Sequence, residues 1–114
     1  MSEYFYPVDG RKHYKDLEKA QKDMFEAFRD FNNEIFEKES ALSRKMKELI
    51  AIGVAHTTQC PYCIDGHVRA AKNAGASDQE IAEAIFVASA LRAGGAFAHS
   101  TIAMRALNEA KEQK

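Results

Sequence analysis

The sequence predicts an all-α fold, a compact bundle of about five helices with a CxxC pair at the start of the third. Apolar residues recur at steps of three and four along nearly the whole chain, and no stretch of strand-like alternation interrupts them. Helix-capping residues also fall where those stripes begin and end.

Taken in order, Leu17, Ala20, Met24, Ala27, Phe28, Phe31 and Ile35 share one face of a first helix, and such a stripe predicts core. Ser43 caps a second helix that runs through Leu49 and Ile50 toward Thr57 and stops at the Thr-Thr-Gln stretch. A third helix starts near Cys60, where Pro61 suits the first turn because its missing N–H had no partner to lose. It stops at "NAG", with Gly75 as the C-terminal glycine. "SDQE" then reads as a capping box: Ser77 and Glu80 satisfy each other's free amides, and Ile81, Ile85, Ala88 and Leu91 continue along one face of a fourth helix. Gly94 and Gly95 are expected to interrupt the pattern. "AFAHSTIAMRALNEA" resumes it as a fifth helix, and "KEQK" is expected to fray. No internal repeat or low-complexity segment occurs.

At 114 residues the chain fits a single domain, 1–114, near the lower end of the size that is stable alone, which makes a partner subunit expected. Sixteen basic residues against seventeen acidic ones leave a formal charge of −1, with no basic tract or patch for nucleic acid. The N-terminal "MSEYFYPVDG" lacks the basic-then-apolar order of a signal peptide, and the longest unbroken apolar run, "LIAIGVA", is too short for a bilayer. A cytoplasmic protein with no membrane partner is expected. In a reducing compartment, two cysteines point to catalysis or metal binding more than to a permanent staple.

Both cysteines fall in "KELIAIGVAHTTQCPYCIDGH", Lys47 to His67. If the second and third helices form a tight antiparallel hairpin, a rise of about 1.5 Å per residue brings Glu48 and His67 to the same depth below the turn. Cys63 and His67, four residues apart, share a helix face. Cys60 and Cys63, three apart at a helix start, bring their α-carbons near the ~5.5 Å typical of a disulfide. Free amides and the positive end of the helix dipole favour a thiolate there. A thiolate that attacks a peroxide O–O bond becomes a sulfenic acid, which a second thiol one turn away condenses with. Glu48 and His67 supply the base and the acid. The dipole favours Cys60 as attacker; the face shared with His67 favours Cys63, which we take as attacker with Cys60 resolving.

The spacing Glu48, eleven residues, Cys60, two residues, Cys63, three residues, His67 resembles the core motif of the carboxymuconolactone decarboxylase and alkylhydroperoxidase D-like family. The likeness extends through "KELIAIGVAHTTQCPYCIDGHVRAAKNAGASDQEIAEAI" and covers about Ala41 to Leu107. It implies an all-helical fold that assembles into homo-oligomers, often trimers or hexamers. It also implies a peroxidatic Cys63, a resolving Cys60, and a proton relay through Glu48 and His67. Two departures stand out: alkylhydroperoxidase D resembles two copies of this core where the chain has one, and carries a histidine between its cysteines where the chain has Tyr62. The function implied is a thiol-dependent peroxide reductase with an antioxidant role, or more broadly a CxxC disulfide oxidoreductase. It would be recharged by an external dithiol, and no motif calls for a bound organic cofactor.

Three other readings compete. His56, Cys60, Cys63 and His67 form H-x3-C-x2-C-x3-H, a zinc-capable set. His67, however, lies about 10 Å along the helix from Cys60, so the four converge only if that helix unwinds. Lactone decarboxylation needs no thiol, which the cysteine pair argues against. The helices could also form an oligomeric scaffold with incidental thiols. Among single residues, His56 suits the dipole at the end of the second helix and His99 suits packing or an interface. His13 suits the surface, and Tyr62 either bonds near the thiols or covers them.

Overall fold

The structure, a computed structural model, describes residues 7 and 9–113. A 3₁₀ turn at Gly10–His13 precedes α1 (Tyr14–Ala20), α2 (Lys22–Phe36), α3 (Arg44–Thr58), α4 (Pro61–Asn73) and α5 (Asp78–Glu112). Among the described residues there is no strand, so the expected all-α architecture of five helices stands. Two expected boundaries moved. The first helix divides at Gln21, whose φ of −150° and ψ of 81° leave the helical region. Gly94 and Gly95, by contrast, do not break α5, which continues well into the "KEQK" tail. A helical glycine costs only about 1 kcal/mol relative to alanine, too little to stop a helix whose flanking turns are rich in alanine and leucine. These differences offset each other, so the helix that opens on the CxxC is fourth in order.

The local caps are as expected. Ser43 Oγ accepts from the Met46 amide at 3.1 Å. Ser77 Oγ accepts from the Glu80 amide at 3.0 Å while the Glu80 carboxylate accepts from the Ser77 amide at 2.9 Å. Gly75 takes a φ of +95°, the left-handed conformation for which glycine has no steric cost. Its amide donates to the Lys72 carbonyl and that of Ala76 to the Ala71 carbonyl, closing α4 in a Schellman motif.

The core lies between α3, α4 and the first half of α5. Ile52, Ala71 and Ala76 are buried at its centre, with Leu49, Val68, Ile81 and Ile85 packed against them. Lys45 pairs with Glu80 at 3.0 Å, and Arg92 donates to the Thr57 carbonyl at 2.5 Å, so α5 is tied to both ends of α3.

Outside this core the expectation of buried stripes fails. Along α1 and α2, Met24, Phe28 and Phe31 are 70%, 69% and 64% exposed. The two helices fold against each other, with Arg29 and Glu18 3.6 Å apart, and α2 meets α3 near its C-terminal end. Among the described residues, no element of the same chain lies across the stripe. From Leu91 onward, itself 66% exposed, α5 also runs into solvent, with Phe97 80% exposed. The radius of gyration is 19.6 Å, where a compact domain of this length would have about 13 Å. Compactness thus holds for the α3–α4–α5 core and not for the whole chain. Among the described residues, α5 also holds an 18-residue window of mean hydropathy 1.4, 6% buried, that by length and composition could cross a membrane. Unbroken apolar runs in the sequence do not reveal it, because residues such as Ser89 and Arg92 interrupt the apolar stretch of α5.

Candidate functional site

The site is built on the α3–α4 hairpin. Gln59 closes α3 in the left-handed region at φ 57°, the one non-glycine residue with positive φ among those described. The Cys60 amide then donates back to the Ala55 carbonyl at 3.2 Å. This tight reversal makes Cys60 the N-cap of α4, its sulfur accepting from the Cys63 amide at 3.2 Å, with Pro61 as the first helical residue. Cys60 and Cys63 are joined by a disulfide, with α-carbons 5.2 Å apart.

Below the turn, antiparallel α3 and α4 bring Glu48 Oε2 to 2.7 Å from His67 Nδ1. Glu48 is 6% exposed, and burial of a carboxylate is costly unless a partner offsets it. With the carboxylate ionised, His67 Nδ1–H donates to it, and Nε2 is left to exchange a proton with whatever lies on its other side. The Phe36 ring, at the end of α2, lies 4.9 Å from the His67 ring, centre to centre.

Cys63 and His67 line a cleft of about 420 Å³ whose other walls include Phe36, Leu42, Ile50 and Val54. Cys60 is not among its lining residues. Lys47 also lines the cleft, and its ammonium donates to the Ile35 carbonyl at 2.7 Å and the Lys38 carbonyl at 2.9 Å. It therefore fixes the end of α2 against α3.

All four sequence-expected residues, Glu48, Cys60, Cys63 and His67, thus fall in one hairpin. The zinc-like set does not assemble: His56 Nδ1 lies 2.8 Å from the Ile52 carbonyl in its own helix. Among the described residues, no group of three or more His, Cys, Asp or Glu side chains is placed to share a metal. His99 Nδ1 likewise lies 2.7 Å from the Gly95 carbonyl, and His13 pairs on the surface with Asp16 at 3.5 Å. Tyr62 takes a role the sequence did not suggest. Its hydroxyl donates to the Pro7 carbonyl at 3.0 Å, and its own carbonyl accepts from Arg11. The segment before α1 is thereby strapped to the first turn of α4. Glycines at Gly10 and Gly66 were the available signal, since a β-carbon at either would meet Tyr62 or Arg11.

Fold and site together define a small helical protein with a CxxC disulfide next to an imidazole–carboxylate pair. The chain belongs to the carboxymuconolactone decarboxylase family, whose sequence profile matches residues 22–106. That match starts upstream of Ala41 and so takes in α2. The chain is also 51% identical over 71 residues to a Paracoccus denitrificans protein named "Uncharacterized protein 4 in cox locus". The alignment covers 62% of this chain and 64% of that relative, just under two thirds of its length.

Proposed function

We propose that the protein is a thiol-dependent peroxide reductase with an antioxidant role, working through Cys63 and Cys60. The carrying observation is that one member of the disulfide, Cys63, lines an apolar cleft together with a histidine that a buried carboxylate orients. In the proposed cycle, His67 takes the Cys63 thiol proton and the thiolate attacks the distal peroxide oxygen, giving Cys63–SOH and an alkoxide that His67 protonates to the alcohol. The Cys60 thiol then displaces water from the sulfenic acid and forms the disulfide. An external dithiol returns the pair to two thiols and leaves as a disulfide. Cleft position favours Cys63 as attacker, although the amide pointing at Cys60 sulfur would favour a thiolate there. Lactone decarboxylation, the activity in the family's name, would leave the disulfide without a part.

The test is a native mass spectrum of fully reduced protein, with free thiols counted before and after one equivalent of cumene hydroperoxide. Loss of two hydrogens and both thiols per chain is expected. Surviving thiols overturn the reading; when both thiols are lost, single serine variants at Cys60 and Cys63 assign the attacker.

The same reading includes a cytoplasmic homo-oligomer, a trimer or hexamer, in which a second copy covers the open faces. The exposed stripe of α2 is flanked by Asp23, Glu26, Asp30 and Glu34 against Lys22 and Arg29. Between Glu83 and Glu109, α5 carries Arg92 and Arg105 and no acid. An acidic apolar face thus complements a basic apolar one on another copy, which also gives the apolar window of α5 a protein rather than a lipid neighbour. Sedimentation should show an oligomer that Phe97→Glu dissociates; a monomeric wild type at micromolar concentration overturns it.

A further inference from the structure

The segment before α1 lies outside the matched family region, yet it touches the backbone between the two cysteines. Arg11 Nη2 donates to the Tyr62 carbonyl, the carbonyl of the peptide that joins Tyr62 to Cys63. The guanidinium carbon lies 5.8 Å from the Tyr62 ring centre, a cation–π geometry. The strap is held independently of Arg11: the Pro7 carbonyl accepts from the Tyr62 hydroxyl and from the Gly10 amide, each at 3.0 Å. Two glycines make the approach feasible, since a β-carbon on Gly66 would stand 2.8 Å from Arg11 Nη2 and one on Gly10 would run into the Tyr62 ring.

We infer that Arg11 is a positioning residue that sets the redox poise of the Cys60–Cys63 pair, by fixing a permanent positive charge beside the first turn of α4. An arginine keeps its proton at every accessible pH. Reduction of the disulfide takes up two electrons and two protons, and one thiol then releases a proton to become thiolate. A nearby fixed cation stabilises that thiolate and has no comparable effect on the neutral disulfide. Arg11 therefore lowers the thiol's proton affinity and makes the disulfide easier to reduce.

Among the described residues, other charged or titratable groups near the pair hold partners of their own, and His67 in addition lines the cleft with Cys63. His67 faces Glu48, Lys47 caps the end of α2, and His56 lies on the Ile52 carbonyl. Asp65, on α4, is bonded by Arg69, and Arg92, on α5, donates to the Thr57 carbonyl at the end of α3. Among the described residues, Arg11 is the cation whose head bonds to the backbone between the two cysteines.

This rests on the reading of Cys60 and Cys63 as a redox couple, and its test needs no peroxide. Full-length wild type, Arg11→Gln and Arg11→Lys are reduced, and the rate of iodoacetamide alkylation is followed from pH 5 to 10. Each is also equilibrated with dithiothreitol at pH 8. Arg11→Gln should raise the pH midpoint of alkylation by about 0.5–1 and shift the equilibrium toward the disulfide about three- to tenfold, roughly 15–30 mV. Arg11→Lys, which keeps the charge, should stay within twofold of wild type. Equal shifts in both variants, or none in Arg11→Gln, overturn the inference. A salt series on wild type needs no variant: Arg11 is exposed, so raising ionic strength from about 0.01 to 1 M should move its midpoint upward. An unmoved midpoint overturns the inference too. A wild type that forms and exchanges the disulfide but ignores cumene hydroperoxide defeats the peroxidase reading and leaves this one standing.

Discussion

Glu48→Gln tests whether the buried carboxylate serves the chemistry or only the packing. Glutamine keeps the shape of the side chain and can still accept from His67 Nδ1, but it carries no charge to stabilise the imidazolium that forms when His67 takes a proton. The interaction lost is a 2.7 Å charge-assisted hydrogen bond at a position 6% exposed. Such a bond contributes about 1.5–3 kcal/mol, which at about 1.36 kcal/mol per decade is roughly a 10- to 150-fold slower reaction. The assay is single-turnover oxidation of fully reduced protein by cumene hydroperoxide, with thiol loss followed by stopped flow between pH 5 and 9. Thermal unfolding of the same preparation checks that the core is intact. Glutamine can also turn its amide toward Nδ1 and fix the wrong tautomer, which slows the reaction further. A variant within twofold of wild type across that range, with an unchanged melting midpoint, would refute the relay and leave Glu48 a structural partner of His67.

Three further outcomes are expected. Ile52 is 0% exposed at the centre of the core, so Ile52→Ala should cost about 2–5 kcal/mol and lower the midpoint of urea unfolding without changing its slope. Gly94→Ala and Gly95→Ala place β-carbons where none of the described residues lies within 4 Å, and each should stabilise the helix of the isolated chain by about 1 kcal/mol in urea unfolding. An oligomer that dissociates instead would show that another copy's backbone approaches there. The Ser77 amide and then Lys45 hold the Glu80 carboxyl below its ordinary 4.5. A lowered folded value gives stability that is fully present above pH 4.5 and is lost as pH falls through the folded value, so Glu80→Gln should flatten the acid limb of the stability curve.

What the sequence revealed depended on how far apart the deciding residues lie. Caps at Ser43, Pro61, Ser77 and Gly75 were legible because each is settled within about one helical turn. The meeting of Glu48 and His67 was legible because one tight turn and a constant rise fix relative depth in a hairpin. Gln21 was not legible: nothing in its residue type forbids helix, and the break comes from α1 folding back on α2. Continuity through Gly94 and Gly95 is not legible locally, because what carries the helix across them is the alanine-rich sequence on both sides. Periodicity correctly marked Met24, Phe28 and Phe31 as sharing a face, yet it cannot say whether the surface that covers them belongs to the same chain. The neighbours of Tyr62 in sequence carry no sign of its role, because its partners, Pro7, Gly10 and Arg11, stand some fifty positions away.

The α2 stripe and the cleft are physically linked. The walls of the cleft come from two sources with different rigidity. Cys63, His67, Ile50 and Val54 stand on α3 and α4, which the buried core holds together. Ile35 and Phe36 stand at the end of α2, which the Lys47 hydrogen bonds and the Phe36–His67 ring contact hold in place. A partner that covered the stripe of α2 would therefore also set where Phe36 sits over His67, and so how far Cys63 and the imidazole are shielded from water. Shielding strengthens the Glu48–His67 interaction and disfavours solvation of a thiolate at Cys63. Assembly through α2 would accordingly change the chemistry of the site without contributing a residue to it.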